Sequence, residues 1–428
     1  MESKAKADTQ AQEPALALQN EAGPSAVKAT RIRAPDYDNY RRVFAGRRMP
    51  FAYIDLDLLD QNIREVAVRA SGKRVRLASK SIRSVAVLRR ILAADPCFQG
   101  IMCFTAREAV YLASQGFDDL LIGYPIWHAD DIAAVARAIA GGTHITLMID
   151  SVAHVEQIEA VAAREGVRIP LCLDLDVALD VPGLHFGVWR SSLRTATQVR
   201  PVLDRIGASS HVWLDGVMGY EAQIAGVGNA YPGQTLKNGL VRLLQRRSAR
   251  EVAKRRAALV ALATETLGSL RFVNGGGTGS IATTREEPVV SEITVGSAFY
   301  GPALFDNYRN FRYQPAAGYA IEIVRRAAPT IYTCLGGGYV ASGAAGKDKL
   351  PQPYLPAGAR LDPLEAAGEV QTPIHYSGPV TLDLGDPVFM RHSKAGELCE
   401  RFTHLLLVSG GSVVDEVMTY RGDGHSFL

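Results

Sequence analysis

Lys80 closes an apolar, β-prone run, Arg74 to Lys80 (RVRLASK). An amine at such a place becomes a nucleophile toward an aldehyde when desolvation lowers its pKa. The competing reading is an ordinary surface lysine at a strand-to-turn junction. Far along the chain, Val273 to Ser280 reads VNGGGTGS. Three successive glycines leave backbone N–H groups free to point at an anion, and Thr278 and Ser280 add hydroxyl donors. That is the chemistry of a phosphate cup. A ligand joining the two features carries a phosphate at one end and an aldehyde near the other. Pyridoxal phosphate (PLP) fits this description, and a sugar phosphate on a Schiff-base lysine fits it too.

The elements around these residues alternate regularly. Asp55 to Arg69 has helical periodicity and is stopped by Ser71-Gly72. Candidate strands then begin at Arg74, Gly100, Asp119, His144, Ile169, Val212, Arg271 and Ser291. Helical segments such as AREAVYLASQG and DDIAAVARAIAG lie between them, the longest being the Arg-rich stretch from Leu236 to Leu267. Eight β–α units of Val-, Ile- and Leu-rich strands predict an α/β fold, a parallel (β/α)8 TIM barrel. No GxGxxG follows the first strand, which counts against an open doubly wound sheet. In such a barrel chemistry sits at the C-terminal strand ends and phosphate sites follow strands seven and eight. Lys80 and the glycine loop therefore face each other across the barrel mouth.

After Gly301 helical periodicity gives way to short β-prone runs separated by Gly and Pro turns. The organisation read from the sequence is a disordered tail over 1–33, a PLP-binding barrel with its lead-in segment over 34–305, and a mostly β C-terminal domain over 306–428. The chain of 428 residues is 47% hydrophobic and 21% charged, an ordinary globular composition. A net charge of +3 is too small at this length to indicate a nucleic-acid or membrane partner. Five scattered cysteines without CxxC spacing suit reduced thiols in a cytoplasm. No apolar run is long enough to span a membrane, and the first thirty residues lack a signal-type apolar segment.

Five motifs in order resemble the fold-type III PLP enzymes, in particular the branch of D-threonine aldolases and D-serine dehydratases. They are MPFAYIDLDLLDQN (Met49 to Asn62), RLASKSIR (Arg76 to Arg83), LDGVMGYE (Leu214 to Glu221), VNGGGTGS and EITVGSAFYG (Glu292 to Gly301). The resemblance covers about residues 48–428. It implies Lys80 as the Schiff-base lysine and Gly276, Gly277 and Thr278 as phosphate contacts. It also implies Arg76, Tyr220, Asn274 and Tyr300 around the cofactor, and a homodimer in which each β domain completes the other's site.

Departures from the family pattern carry as much information. His185 stands where the family's turn after strand five has an arginine, and Gln223 replaces a histidine after strand six. Thr294-Val295-Gly296 replaces the Arg-Pro-Gly of racemases, so racemase-type electronics do not carry over. The branch binds a divalent ion through a His-x-Cys or His-x-Asp pair. Here His392 matches the first ligand, but Lys394 occupies the second position, and a protonated lysine repels a dication. Glu397 substitutes only if its loop folds back. His392 serves otherwise as acid or base on the substrate. The expected activity is a lyase reaction on a β-hydroxylated D-amino acid, with an aldehyde as product or acceptor. The alternatives are dehydration with loss of ammonia, racemisation or epimerisation, and a PLP carrier without turnover.

Overall fold

The computed structural model describes residues 36–344 and 346–428, so the tail expected over 1–33 lies outside the described residues. All eight strands read from the sequence form, and they close into one parallel barrel. They are β1 (Arg74–Ala78), β2 (Phe98–Cys103), β3 (Leu120–Ile122), β4 (Ile145–Ile149), β5 (Ile169–Asp174), β6 (Val212–Gly219), β7 (Phe272–Gly275) and β8 (Glu292–Val295). Closure is between β8 and β1, where Ile293 pairs with Val75 and Val295 with Leu77. The Arg-rich segment is a single helix, Thr235–Leu267.

Strand alternation decides what fills the barrel. Along β1, Val75 and Leu77 are fully buried in the main hydrophobic core, while Arg76 and Ala78 take the opposite face. Leu121, Met148, Cys172, Met218 and Phe272 form a separate interior cluster, with Met102 packed on it. Its packing is close: a side chain at Gly216 would come within 2.4 Å of the Phe272 ring. At the N-terminal strand ends an ionic network follows. Arg76 bonds Glu292 and Asp119, and Arg271 bridges Asp119 to Asp215.

A second, nine-stranded sheet holds most of the strands after Gly301. Its longest member, Ala317–Ala328, pairs antiparallel with Ile331–Leu335 and with Pro387–Arg391. Phe51–Asp55 also belongs to it, antiparallel to Ala317–Ala328 and parallel to His404–Ser409. The lead-in strand read with the barrel thus lies within the later sheet. Among the described residues, no helix is long and apolar enough to cross a membrane.

Candidate active site

A cavity of about 630 Å³ is lined by the C-terminal ends of the barrel strands, the size of an ordinary small-molecule site. Lys80 enters it from a single 3-10 turn, Ser79–Ser81, directly after β1. That turn is pinned twice. Ser79 Oγ donates to the Met102 carbonyl at 2.9 Å. From the second sheet's side Gly396, at φ +89°, packs so close that a Cβ would sit 1.8 Å from the Lys80 carbonyl oxygen. Only glycine fits there.

Lys80 Nζ donates to the Tyr124 hydroxyl at 2.8 Å. Arg190 stands over two rings, its guanidinium carbon 5.3 Å from the Tyr124 centroid and 5.1 Å from that of Tyr220. No ion pair to Arg190 is found among the described residues. Burial alone would raise the Tyr124 phenol, but Lys80 and Arg190 outweigh it and hold it below the ordinary tyrosine value. For Tyr220 burial wins and the phenol is raised, with the same two cations opposing.

The glycine loop forms another part of the same cavity: Gly276, Gly277 and Thr278 line it, with Gly296 and Ser297 from the end of β8. A Cβ at Gly277 would lie 2.8 Å from the Ala225 methyl, and one at Gly296 2.8 Å from Ala78 and Ser81. Its amides are not all bare. Gly276 N–H donates to Glu221 Oε2 at 3.2 Å, and Gly277 N–H to Ser280 Oγ at 3.1 Å. Ser280, read from the sequence as an outward donor, instead gives its hydroxyl to Glu221 at 3.0 Å. Glu221 also accepts from Arg256 at 2.8 Å, so a buried carboxylate at the end of β6 holds the loop in place. Thr278 Oγ accepts from Ala298 N–H at 3.1 Å, which leaves its own proton to donate.

Lys80, Tyr220, Asn274, Gly276, Gly277 and Thr278 are thus brought together. Asn274 is held by Glu292 and Thr294, each at 2.8 Å from its Nδ2. Three expected residues are not brought to the cavity. Arg76 is fully buried with its donors taken by Glu292 at 2.7 Å and the Asp119 carbonyl at 2.6 Å. Tyr300 is fully buried and donates to the Ile82 carbonyl at 2.8 Å. His392 lies in the interior beside Tyr300, 6.4 Å between ring centres, with neither ring nitrogen hydrogen-bonded. Burial, with Arg391 adding to it, pushes its imidazole down to about 3.

The donor set fits PLP: an amine, a glycine-walled cradle that side chains would fill, and hydroxyls to meet an anion. Among the described residues no three His, Cys, Asp or Glu side chains cluster as ligands. Lys394 lines the cavity and donates to Ser342, and Glu397 accepts from the Ser342 amide at 3.1 Å.

Sequence reasoning missed Tyr124, Arg190 and the anchoring role of Glu221. Tyr124 follows the DLLIG run, so the strand-end logic that found Lys80 reaches it too. Arg190 sits in a loop without a local signal.

Comparison with known proteins agrees with this geometry. The family profile described as alanine racemase, N-terminal domain, matches residues 54–303. A 3-hydroxy-D-aspartate aldolase from Paracoccus denitrificans is 26% identical over 252 residues, 58% of this chain and 59% of that protein. The match therefore spans 59% of the curated relative's length. Among solved structures, D-threonine aldolase from Filomicrobium marinum has a TM-score of 0.74 at 17% identity, covering 88% of this chain and 95% of that one. D-threo-3-hydroxyaspartate dehydratase from Delftia sp. HT23 has a TM-score of 0.66 at 19% identity, covering 87% and 98%. At these identities the structures show a shared fold, barrel and β-rich region together.

Proposed function

Because the chain belongs to the alanine racemase N-terminal domain family, we propose that it is a PLP-dependent lyase. Its substrate in this reading is a β-hydroxylated D-amino acid, cleaved or formed at the Cα–Cβ bond. The observation that carries the reading is Lys80 and the glycine loop lining one cavity. The curated and structural relatives named above, two aldolases and a dehydratase of hydroxylated amino acids, support the reaction class.

Bound there, PLP supplies an electron sink for charge developing at the substrate's Cα. The chain does the rest. Lys80 would provide the amine that holds the cofactor's aldehyde, and its bond to the Tyr124 hydroxyl sets the direction of that amine. Gly276, Gly277, Thr278 and Ser297, which line the cavity, would hold the phosphate, and Asn274 and Tyr220 line the same cavity and would contact the rest of the cofactor. Arg190, stacked over Tyr124 and Tyr220 and without an ion-pair partner among the described residues, offers a cation for the substrate carboxylate, which a guanidinium grips at two points. The Lys80 amine also lines the cavity, where it would hold or move a proton at the substrate's Cα.

The homodimer, a cytoplasmic location and the domain division at about residue 305 belong to the same reading. Sedimentation of the holoenzyme tests the first. The decisive assay incubates holoenzyme with D-threonine, D-serine and 3-hydroxy-D-aspartate, measuring aldehyde and 2-oxo acid separately. Aldehyde release is expected. Accumulation of 2-oxo acid with ammonia would make it a dehydratase. A cofactor absorbance unchanged by every amino acid would overturn the lyase reading.

A further inference from the structure

The second sheet puts one wall on the cavity. Beyond its strand Pro387–Arg391 the chain turns through His392 to Gly396, and that turn is held at both ends. The His392 and Ser393 carbonyls accept from the Ala303 and Leu304 amides, each at 3.1 Å. At the other end Gly396 packs on the Lys80 carbonyl oxygen. Lys394 lies between these two anchors, half-buried, with its side chain lining the cavity. Its ammonium donates to Ser342, at 3.2 Å to the carbonyl oxygen and 3.3 Å to Oγ. Two long bonds leave one N–H of the ammonium to give, and Ser342 Oγ, having accepted, keeps its own proton to donate.

The charges facing this space are unequal. Lys80, Arg83, Arg190 and Lys394 line it against one carboxylate, Glu397. His185 lines it too, with Nδ1 set 2.7 Å from Asp180. Some of these groups are already committed. Arg83 pairs with Glu400 and gives its Nε–H to the Lys80 carbonyl at 2.9 Å. Both oxygens of Glu397 accept from the Ser342 amide at 3.1 Å. Lys80 is reserved for the cofactor's aldehyde, and the phosphate belongs to the glycine loop. Arg190 and Lys394 remain, neither with a carboxylate partner among the described residues. A cation facing a partly closed cavity attracts an anion more strongly than it does in open water. Two such cations match two carboxylates.

Resting on the lyase reading above, we infer that Lys394 selects the side chain of the substrate. The amino acid carries a second carboxylate on Cβ beside the hydroxyl, as in 3-hydroxy-D-aspartate, rather than the methyl of D-threonine. Arg190 takes the α-carboxylate, while Lys394 and the Ser342 hydroxyl take the other. An alkyl group at Cβ uses neither donor. Glu397 on the same wall opposes the second anion, which keeps the discrimination modest. The contact is made on binding and not at the breaking bond, so it acts on KM more than on kcat.

The test measures glycine release by holoenzyme from 3-hydroxy-D-aspartate and from D-threonine, for wild type, Lys394→Met and Lys394→Arg. Wild type is expected to favour 3-hydroxy-D-aspartate in kcat/KM by about tenfold or more, mainly through KM. Lys394→Met should shrink that ratio by about tenfold, and Lys394→Arg should restore most of it, since the charge is kept. A second readout is independent of cleavage: cofactor absorbance titrated with D-aspartate and with D-2-aminobutyrate, which lack the hydroxyl. Preference for D-aspartate should follow the same order among the three proteins. Wild type without preference for the dicarboxylates would overturn the inference alone. So would a ratio in Lys394→Met within twofold of wild type. If both substrates slow together at that constant ratio, Lys394 is only a strut for the Ser342 loop. Wild type whose absorbance responds to D-aspartate but which releases glycine from neither substrate would instead overturn the lyase reading, and the inference with it.

Discussion

Lys80 donates to the Tyr124 hydroxyl across 2.8 Å, tying the end of the first barrel strand to the loop after the third. The bond fixes the direction of an amine on a four-carbon stem that is otherwise free to rotate. Lys80→Ala is expected to abolish the imine absorbance band of the cofactor-loaded protein and lower activity by about 1,000-fold or more. Tyr124→Phe should keep the band and lose about tenfold in kcat, since orientation alone is removed. Tyr124 also sits below its ordinary pKa because Lys80 and Arg190 favour the phenolate over the opposing effect of burial. An ultraviolet pH titration should show one tyrosine ionising early, and Tyr124→Phe should delete that phase. A Tyr124→Phe titration identical to wild type would refute the coupling.

Glu221 should matter for cofactor retention rather than for chemistry. Its carboxylate holds Gly276 N–H, Ser280 and Thr284 while pairing with buried Arg256. Glu221→Ala frees the loop and leaves Arg256 without that partner. Cofactor affinity, followed by absorbance titration, is expected to weaken by about 10- to 100-fold, with a lower Tm. Unchanged affinity would show that the loop holds its shape unaided.

Arg76 gives the opposite pattern. Its guanidinium neutralises Glu292 and Asp119 away from the cavity. Arg76→Met strands these carboxylates and should cost about 3–5 kcal/mol in chemical unfolding. Cofactor affinity of the folded fraction should not change. Weaker cofactor binding at unchanged stability would return Arg76 to the site.

His392 makes a prediction about acid. Its imidazole titrates near 3 in the folded protein and about 6.5 when unfolded. Between those values the unfolded chain binds more protons, so stability is complete above about pH 6.5 and falls as pH drops toward 3. His392→Phe needs no proton and should flatten the loss of Tm between pH 7 and pH 5, with aldehyde release largely kept. Loss of cleavage in a variant with normal cofactor absorbance would place His392 at the reaction after all.

The barrel was legible because each strand carries its own local signal, a short apolar run bounded by turns. Lys80 and the glycine loop were legible because strand ends are where such a fold exposes side chains. Arg76 and Tyr300 share motifs with site residues, yet strand alternation and burial turn them inward, and a motif does not say which way a side chain points. His392 sits on no periodic element whose phase would reveal its depth. The pairing of Phe51–Asp55 with His404–Ser409 leaves no local trace at all, since strand partners distant in sequence are chosen by fit.

That pairing has a consequence for biogenesis. Leaving the ribosome, Phe51–Asp55 must wait for about 350 further residues before Leu405–Val408 exists to receive it. At usual elongation rates this is roughly 20–70 s. An early strand with open edges, exposed for so long, is the stretch most in need of a chaperone during translation. A truncated gene ending after the barrel would leave it permanently without either neighbour.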